Sequence, residues 1–173
     1  TLGQVILKSQ TEYPWNGTVL INVLETPAEE WALSFRNPGW CVKLSITING
    51  QRLNGFTERD GYIHIDRSWE KGDEISVAMH MPTSFIQGHP NIEAIRGCVA
   101  IKRGPMVYCK EESDQIGNHD LAQICIDPFS KQIEETWHED LLGGVVTIET
   151  DALAEESCAW EGLLYKPVSD VQH

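Results

Sequence analysis

Asp73-Glu74-Ile75-Ser76-Val77-Ala78-Met79-His80-Met81 alternates without a break: Ile75, Val77, Met79 and Met81 fall on one side, Ser76, Ala78 and His80 on the other. Successive strand side chains point to opposite faces, so this pattern marks a strand with one face in a core. The same period recurs upstream. Trp31, Leu33 and Phe35 alternate with Ala32 and Ser34, and Leu44, Ile46 and Ile48 with Ser45 and Thr47. Ile63 and Ile65 share a face within Tyr62 to Asp66, and Thr18 to Leu24 is a nearly continuous apolar run.

Turn residues separate these runs. Asn16-Gly17, Asn37-Pro38-Gly39, Asn49-Gly50, Asp60-Gly61 and Lys71-Gly72 punctuate the chain, at the spacing of about 8–12 residues expected of a sandwich. Asn49-Gly50 tolerates the positive φ of a tight hairpin and predicts a return strand over Gln51 to Leu53. Gly97 to Arg103 and Met106 to Lys110 predict two further strands around Gly104-Pro105. Beyond Glu111 the pattern weakens. Leu121 to Ile126, Gly144 to Glu149 and Gly162 to Val168 read as strands, Asp151 to Glu156 as a helical turn, and Ser130 to Leu142 as strand or short helix. The expected fold is all-β: an antiparallel, jelly-roll-like β-sandwich over 1–110, then a smaller, less regular β-rich part over 111–173.

Charge divides the chain in the same region. Of its 173 residues, 1–108 hold 10 basic and 11 acidic side chains, a net of −1, whereas 109–173 hold 3 and 15, a net of −12. A net charge of −13 is the wrong sign for nucleic acid, whose binding needs clustered Lys and Arg. The acidic half reads as a solvated face, with a cation-binding or partner-docking face as the alternative. No apolar run approaches the roughly 18 residues of a membrane span. Thr1 in place of Met suggests a processed or truncated beginning. The five cysteines have wide spacings and no CxxC, which argues against a zinc knuckle and for reduced thiols in a cytoplasmic protein. Cys98 and Cys109 lie in apolar runs and are expected to pack as small hydrophobes. Asn16-Gly17-Thr18 fits a glycosylation sequon, but a turn explains it equally well.

Catalytic signatures are missing: no GxSxG, no P-loop, no GxGxxG, and His138-Glu139 lacks the second histidine of HExxH because Leu142 stands there. His64 and His80 sit on the less apolar faces of their strands and read as hydrogen-bonded or surface histidines. Adjacent acidic pairs such as Glu134-Glu135 cannot face each other across a glycosidic bond, because strand neighbours point apart. No catalytic, cofactor-binding or metal-ligating residue is therefore expected in this chain. The aromatics carry more information. Tyr13, Trp15 and Trp40 lie in turns rich in Pro and Gly, which can hold a flat ring toward a sugar or a protein partner. The plainer reading is that these turns plug an open end of the sandwich. Trp31 and Trp69 are expected in or beside the core.

The same turns carry a family resemblance. Gln10-Thr11-Glu12-Tyr13-Pro14-Trp15-Asn16-Gly17 resembles the segment that follows the catalytic barrel in the β-L-arabinofuranosidase family of glycoside hydrolases, family 127. Leu33 to Cys41, Ile46-Thr47-Ile48-Asn49-Gly50, Gly61-Tyr62 through Asp73, and Val99 to Cys109 around Arg103-Gly104-Pro105 are similar to later family segments in the same order. Residues 111–173 match loosely, mainly at Leu142-Gly143-Gly144-Val145. The resemblance implies a bacterial glycoside hydrolase, built as an (α/α) barrel followed by β-sandwich domains. It places a zinc ion, a cysteine nucleophile and a glutamate acid/base on the barrel, which this chain does not include. It also implies a sandwich that continues past residue 173. Cys41 and Cys109 match sandwich positions, not the nucleophile. The implied role is accessory: bracing the parent's own catalytic barrel or building a homodimer contact. A carbohydrate-binding module using the turn tryptophans and a bare protein-interaction module are the alternatives.

Overall fold

The computed structural model describes residues 3–114, 120–129, 132–154 and Leu164. Among them are β1 (Ile6–Thr11), β2 (Thr18–Glu25), β3 (Trp31–Arg36), β4 (Leu44–Ile48), β5 (Gln51–Arg52), β6 (Thr57–Arg59), β7 (Tyr62–Arg67) and β8 (Glu74–Met79). Then come β9 (Thr83–Gln87), β10 (Val99–Arg103), β11 (Met106–Tyr108), β12 (Ile124–Ile126), β13 (Ile133–His138), β14 (Val145–Thr150) and β15 (Ala152–Ala154). The only helices among the described residues are single 3-10 turns. The chain divides into two compact units, Thr1–Ile86 with Ile101–Val107, and Gln87–Ala100 with Tyr108–His173.

The first unit holds an antiparallel five-stranded sheet, ordered β1-β2-β8-β4-β5, and a three-stranded sheet, ordered β3-β7-β6. A third sheet is ordered β11-β10-β9. The register puts Ile75 of β8 between Ile21 of β2 and Ile48 of β4, and Val77 between Val19 and Ile46. On the other sheet Leu33 pairs with Ile65 and Phe35 with Ile63. Val23, Ile46, Ile48, Ile75 and Val77 from the first sheet meet Leu33, Ile63 and Ile65 from the second, with Trp69, in one buried cluster. The alternation in the sequence thus becomes the inner faces of a sandwich. Burying each of these side chains contributes about 1.5–3 kcal/mol relative to leaving it in water.

Trp69 is buried and donates its indole N–H to the Trp31 carbonyl at 3.1 Å. Half-buried Trp31 packs against it at 5.6 Å and donates to Thr26 Oγ1 at 2.9 Å. Both tryptophans are core or core-edge residues, as expected. Asp73 is the buried carboxylate of the unit. It accepts from Asn49 Nδ2 at 2.8 Å and the Glu70 N–H at 2.9 Å, with Arg67 Nη2 at 4.0 Å. Asn49 Oδ1 in turn accepts from the Glu74 N–H at 2.9 Å, so this network ties the β4–β5 hairpin to the start of β8. Burial alone would raise the Asp73 pKa. The Asn49 amide, the Glu70 N–H and the Arg67 guanidinium outweigh it and hold the carboxyl below its usual value.

In the second unit β13 pairs with β14, and β12 with β15, both antiparallel. Several expectations change here. Leu121 to Ile126 is a strand only over Ile124–Ile126. Leu121–Gln123 is a 3-10 turn capped by Asp120, which accepts from the Ala122 N–H at 3.0 Å. The helical turn expected at Asp151 to Glu156 is instead strand β15 over Ala152–Ala154, because Cys125↔Leu153 pairing claims it. The ambiguous stretch 130–142 resolves into β13 over Ile133–His138. Cys98 and Cys109 flank strands rather than lie in them and are exposed, not buried. The strand expected at Gly162 to Val168 lies outside the described residues, Leu164 apart.

Candidate functional site

The turn between β1 and β2 is held from within. The Trp15 and Asn16 N–H groups donate to the Glu12 carbonyl at 2.9 and 3.1 Å, and Asn16 Oδ1 accepts from the Thr18 N–H at 2.9 Å. Thr11 Oγ1 bridges its two ends, accepting from the Tyr13 N–H at 3.1 Å and donating to the Thr18 carbonyl at 2.8 Å. The Tyr13–Pro14 bond is cis. Gly17 is buried, its carbonyl accepts from the Met79 N–H at 2.9 Å, and a Cβ there would collide with the Met79 carbonyl oxygen. The Asn-Gly pair is therefore a point of close backbone approach to β8.

A second turn follows β3. Asn37 donates its N–H to the Gly61 carbonyl at 2.8 Å and its Nδ2 to Glu58 Oε1 at 3.0 Å. The Cys41 N–H closes Asn37-Pro38-Gly39-Trp40-Cys41 on the Pro38 carbonyl at 2.9 Å. Asn37 Oδ1 is buried and finds no hydrogen-bond partner among the described residues.

These two turns bring Tyr13 and Trp40 together. Their rings stack with centroids 6.3 Å apart and planes at 26°. Tyr13 keeps 43% of its surface exposed, Trp40 is half-buried, and Val42 is 77% exposed. Trp15 is half-buried, and its carbonyl accepts from Arg103 Nη1 at 2.9 Å. The three sequence candidates thus separate: Tyr13 and Trp40 form one aromatic pair with an accessible edge, while Trp15 sits in a turn anchored through its backbone. The Tyr13–Trp40 pair could not be read from residues so far apart in sequence.

The remaining candidates are quieter. His64 Nδ1 lies 2.8 Å from Ser34 Oγ across β3–β7, and His80 is exposed. No three or more His, Cys, Asp or Glu side chains among the described residues converge to hold a metal. These residues offer no ligand set for the zinc that the resemblance implies. Four described cysteines are free. No helix among the described residues is long and apolar enough to cross a membrane.

The described residues are all-β and present an aromatic turn face. Comparison with known proteins defines the family. Residues 1–81 match the family model described as beta-L-arabinofuranosidase, GH127 middle domain, and residues 83–155 match the glycoside hydrolase family 127 C-terminal domain. A curated non-reducing end beta-L-arabinofuranosidase from Bifidobacterium longum is 28% identical over 163 residues, which is 92% of this chain and 25% of that protein. The solved GH127 beta-L-arabinofuranosidase from Geobacillus stearothermophilus T6 superposes with a TM-score of 0.85 at 38% identity, covering 95% of this chain and 26% of that one. A structure described as a glycoside hydrolase gives a TM-score of 0.86 at 35% identity, over 96% of this chain and 28% of that one. The chain belongs to the C-terminal β-domain region of glycoside hydrolase family 127, and it spans about a quarter of the length of these relatives.

Proposed function

We propose that this chain is the non-catalytic accessory β region of a bacterial glycoside hydrolase resembling β-L-arabinofuranosidase, and that its turn face supports the parent's catalytic barrel. The observation that carries this reading is coverage. Two domain models of one family account for nearly the whole chain, yet the chain spans only a quarter of its curated relative. The chemistry, with its zinc ion, cysteine nucleophile and glutamate acid/base, then belongs to the barrel. The Tyr13–Trp40 pair supplies the docking chemistry: a large apolar face at low entropic cost, fixed by two hydrogen-bonded turns. Val42, two residues beyond Trp40, is also exposed. Free thiols at four positions support a cytoplasmic setting.

Assaying the purified chain on arabinofuranosides tests the catalytic half of the proposal. No turnover is expected, and reproducible turnover would overturn it. A second reading, carbohydrate binding by Tyr13, Trp15 and Trp40, draws support from the exposed part of the Tyr13 ring. It predicts that arabinose-containing oligosaccharides perturb aromatic emission and that Trp40→Ala abolishes the response. Self-association through the same face predicts instead a concentration-dependent dimer that Trp40→Ala dissociates.

A further inference from the structure

Three consecutive residues at the end of β8 each fasten a different segment of the first unit. The Met79 N–H donates to the Gly17 carbonyl at 2.9 Å and holds the β1–β2 turn. The His80 N–H donates to the Lys43 carbonyl at 2.9 Å and holds the loop that carries Trp40. The Met81 side chain is buried and covers Gly104, which opens the Gly104-Pro105 turn between β10 and β11. Gly104 is itself buried with φ of 53°, and a Cβ there would lie 2.7 Å from Met81 Sδ. Glycine suits this position twice over, through its backbone freedom and through the close approach of Met81.

Arg103 closes this arrangement. It is half-buried at the end of β10, directly before Gly104, and its Nη1 donates to the Trp15 carbonyl at 2.9 Å. The β1–β2 turn is thus gripped from two directions, by the β8 backbone at Gly17 and by the guanidinium at Trp15. A guanidinium is a rigid, permanently charged donor, so it fixes a carbonyl more firmly than a neutral donor does. Tyr13 lies in the same turn, and its ring stacks on Trp40, whose loop His80 holds. Arg103 falls in the segment that matches the C-terminal family domain, residues 83–155, whereas Trp15 falls in the middle domain, residues 1–81. Ile101–Val107 nevertheless belongs to the same compact unit as Thr1–Ile86. A short hairpin tip from beyond the family boundary therefore completes the part of the first unit that carries the aromatic pair.

We propose that Arg103 is the positioning residue of the Tyr13–Trp40 face: its bond to the Trp15 carbonyl sets how the β1–β2 turn presents Tyr13 to Trp40, so that the face is ordered before a partner covers it. Ordering a surface in advance reduces the entropy lost on association. That the partner is the parent's catalytic barrel rests on the proposed accessory role; the positioning does not. The experiment records the ring-proton NMR signals of Tyr13 in the full chain, assigned through Tyr13→Phe, with Trp40→Ala giving their unstacked positions. Methyl signals of the buried Ile63 and Ile75 report the core. Arg103→Met keeps the apolar stem and removes the donor. It should move the Tyr13 signals most of the way to their unstacked positions and leave those of Ile63 and Ile75 in place. Arg103→Lys keeps a charged donor and should move them less. Gly104→Ala, which forces the turn beside Arg103 against Met81, should move them in the same direction. Three results would overturn the proposal: Tyr13 signals unmoved in Arg103→Met, core signals that move as far as those of Tyr13, or loss of folding in both Arg103 variants. A face that depends on Arg103 for its order but binds no barrel would refute the accessory role and leave this assignment standing, so the two failures are distinguishable.

Discussion

The two units of this chain solve the problem of burial differently. In the first, eight buried apolar residues from two facing sheets, with Trp69, form one cluster. In the second, Val146 is the one buried apolar side chain among the described residues, while Phe129, Trp137, Leu142 and Leu153 stand exposed. Burial of apolar surface is the main favourable term in folding, so among the described residues the first unit holds most of the buried apolar contribution to stability. The acidic surplus of residues 109–173 widens the difference, because it adds self-repulsion where the core is thinnest.

This contrast can be broken by substitution. Ile75 is fully buried in the central strand of the first sheet, and Ile75→Ala should cost about 2–5 kcal/mol in urea unfolding. Val146→Ala should cost clearly less, on the order of 1–2 kcal/mol, and equal costs would break the contrast. Gly17→Ala places a methyl group against the Met79 backbone carbonyl, which cannot yield as a flexible side chain would. A loss of roughly 1–3 kcal/mol is expected, with the β1–β2 turn and the Tyr13–Trp40 stack displaced together. Restored Tyr13–Trp40 contact in that variant would show that the turn is not positioned through Gly17.

The Asp73 network gives a pH-dependent version of the same test. Its folded pKa lies below the unfolded value of about 3.9, so its contribution is fully present above that value and is lost as pH falls through the folded one. Asp73→Ala should remove about 1–3 kcal/mol at neutral pH and flatten this acid limb of the stability curve. An unchanged acid limb would show that Asp73 is not its source. The smallest effect belongs to the second unit. Glu134 and Glu149 stand directly opposite across β13–β14, both exposed. Like charges in that position repel, so Glu134→Lys should stabilise the hairpin by roughly 0.2–1 kcal/mol.

The sequence made the first unit legible because period-two alternation is a direct image of a half-buried sheet. Strands β3, β4, β7 and β8 carry it, and β2 reads as a nearly continuous apolar run. Strand β1 escaped because it is an edge, with Lys8, Ser9 and Gln10 all exposed, and β6 because Thr-Glu-Arg carries no apolar face. In the second unit the pattern fails for the same physical reason that the core is small. Ala152–Ala154 is held by pairing with β12, a long-range contact that local propensity does not encode. The turn aromatics were findable from their Pro and Gly neighbours, but the stacking of Tyr13 on Trp40 depends on how two separate turns meet.

Hydrogen exchange of backbone amides, read strand by strand on the intact chain, tests the contrast between the units most directly. The account predicts slow exchange, close to the global unfolding limit, in β2, β7 and β8, and exchange orders of magnitude faster in β12 to β15. Equal protection in β8 and β14 would contradict it, because the second unit would then be as self-sufficient as the first.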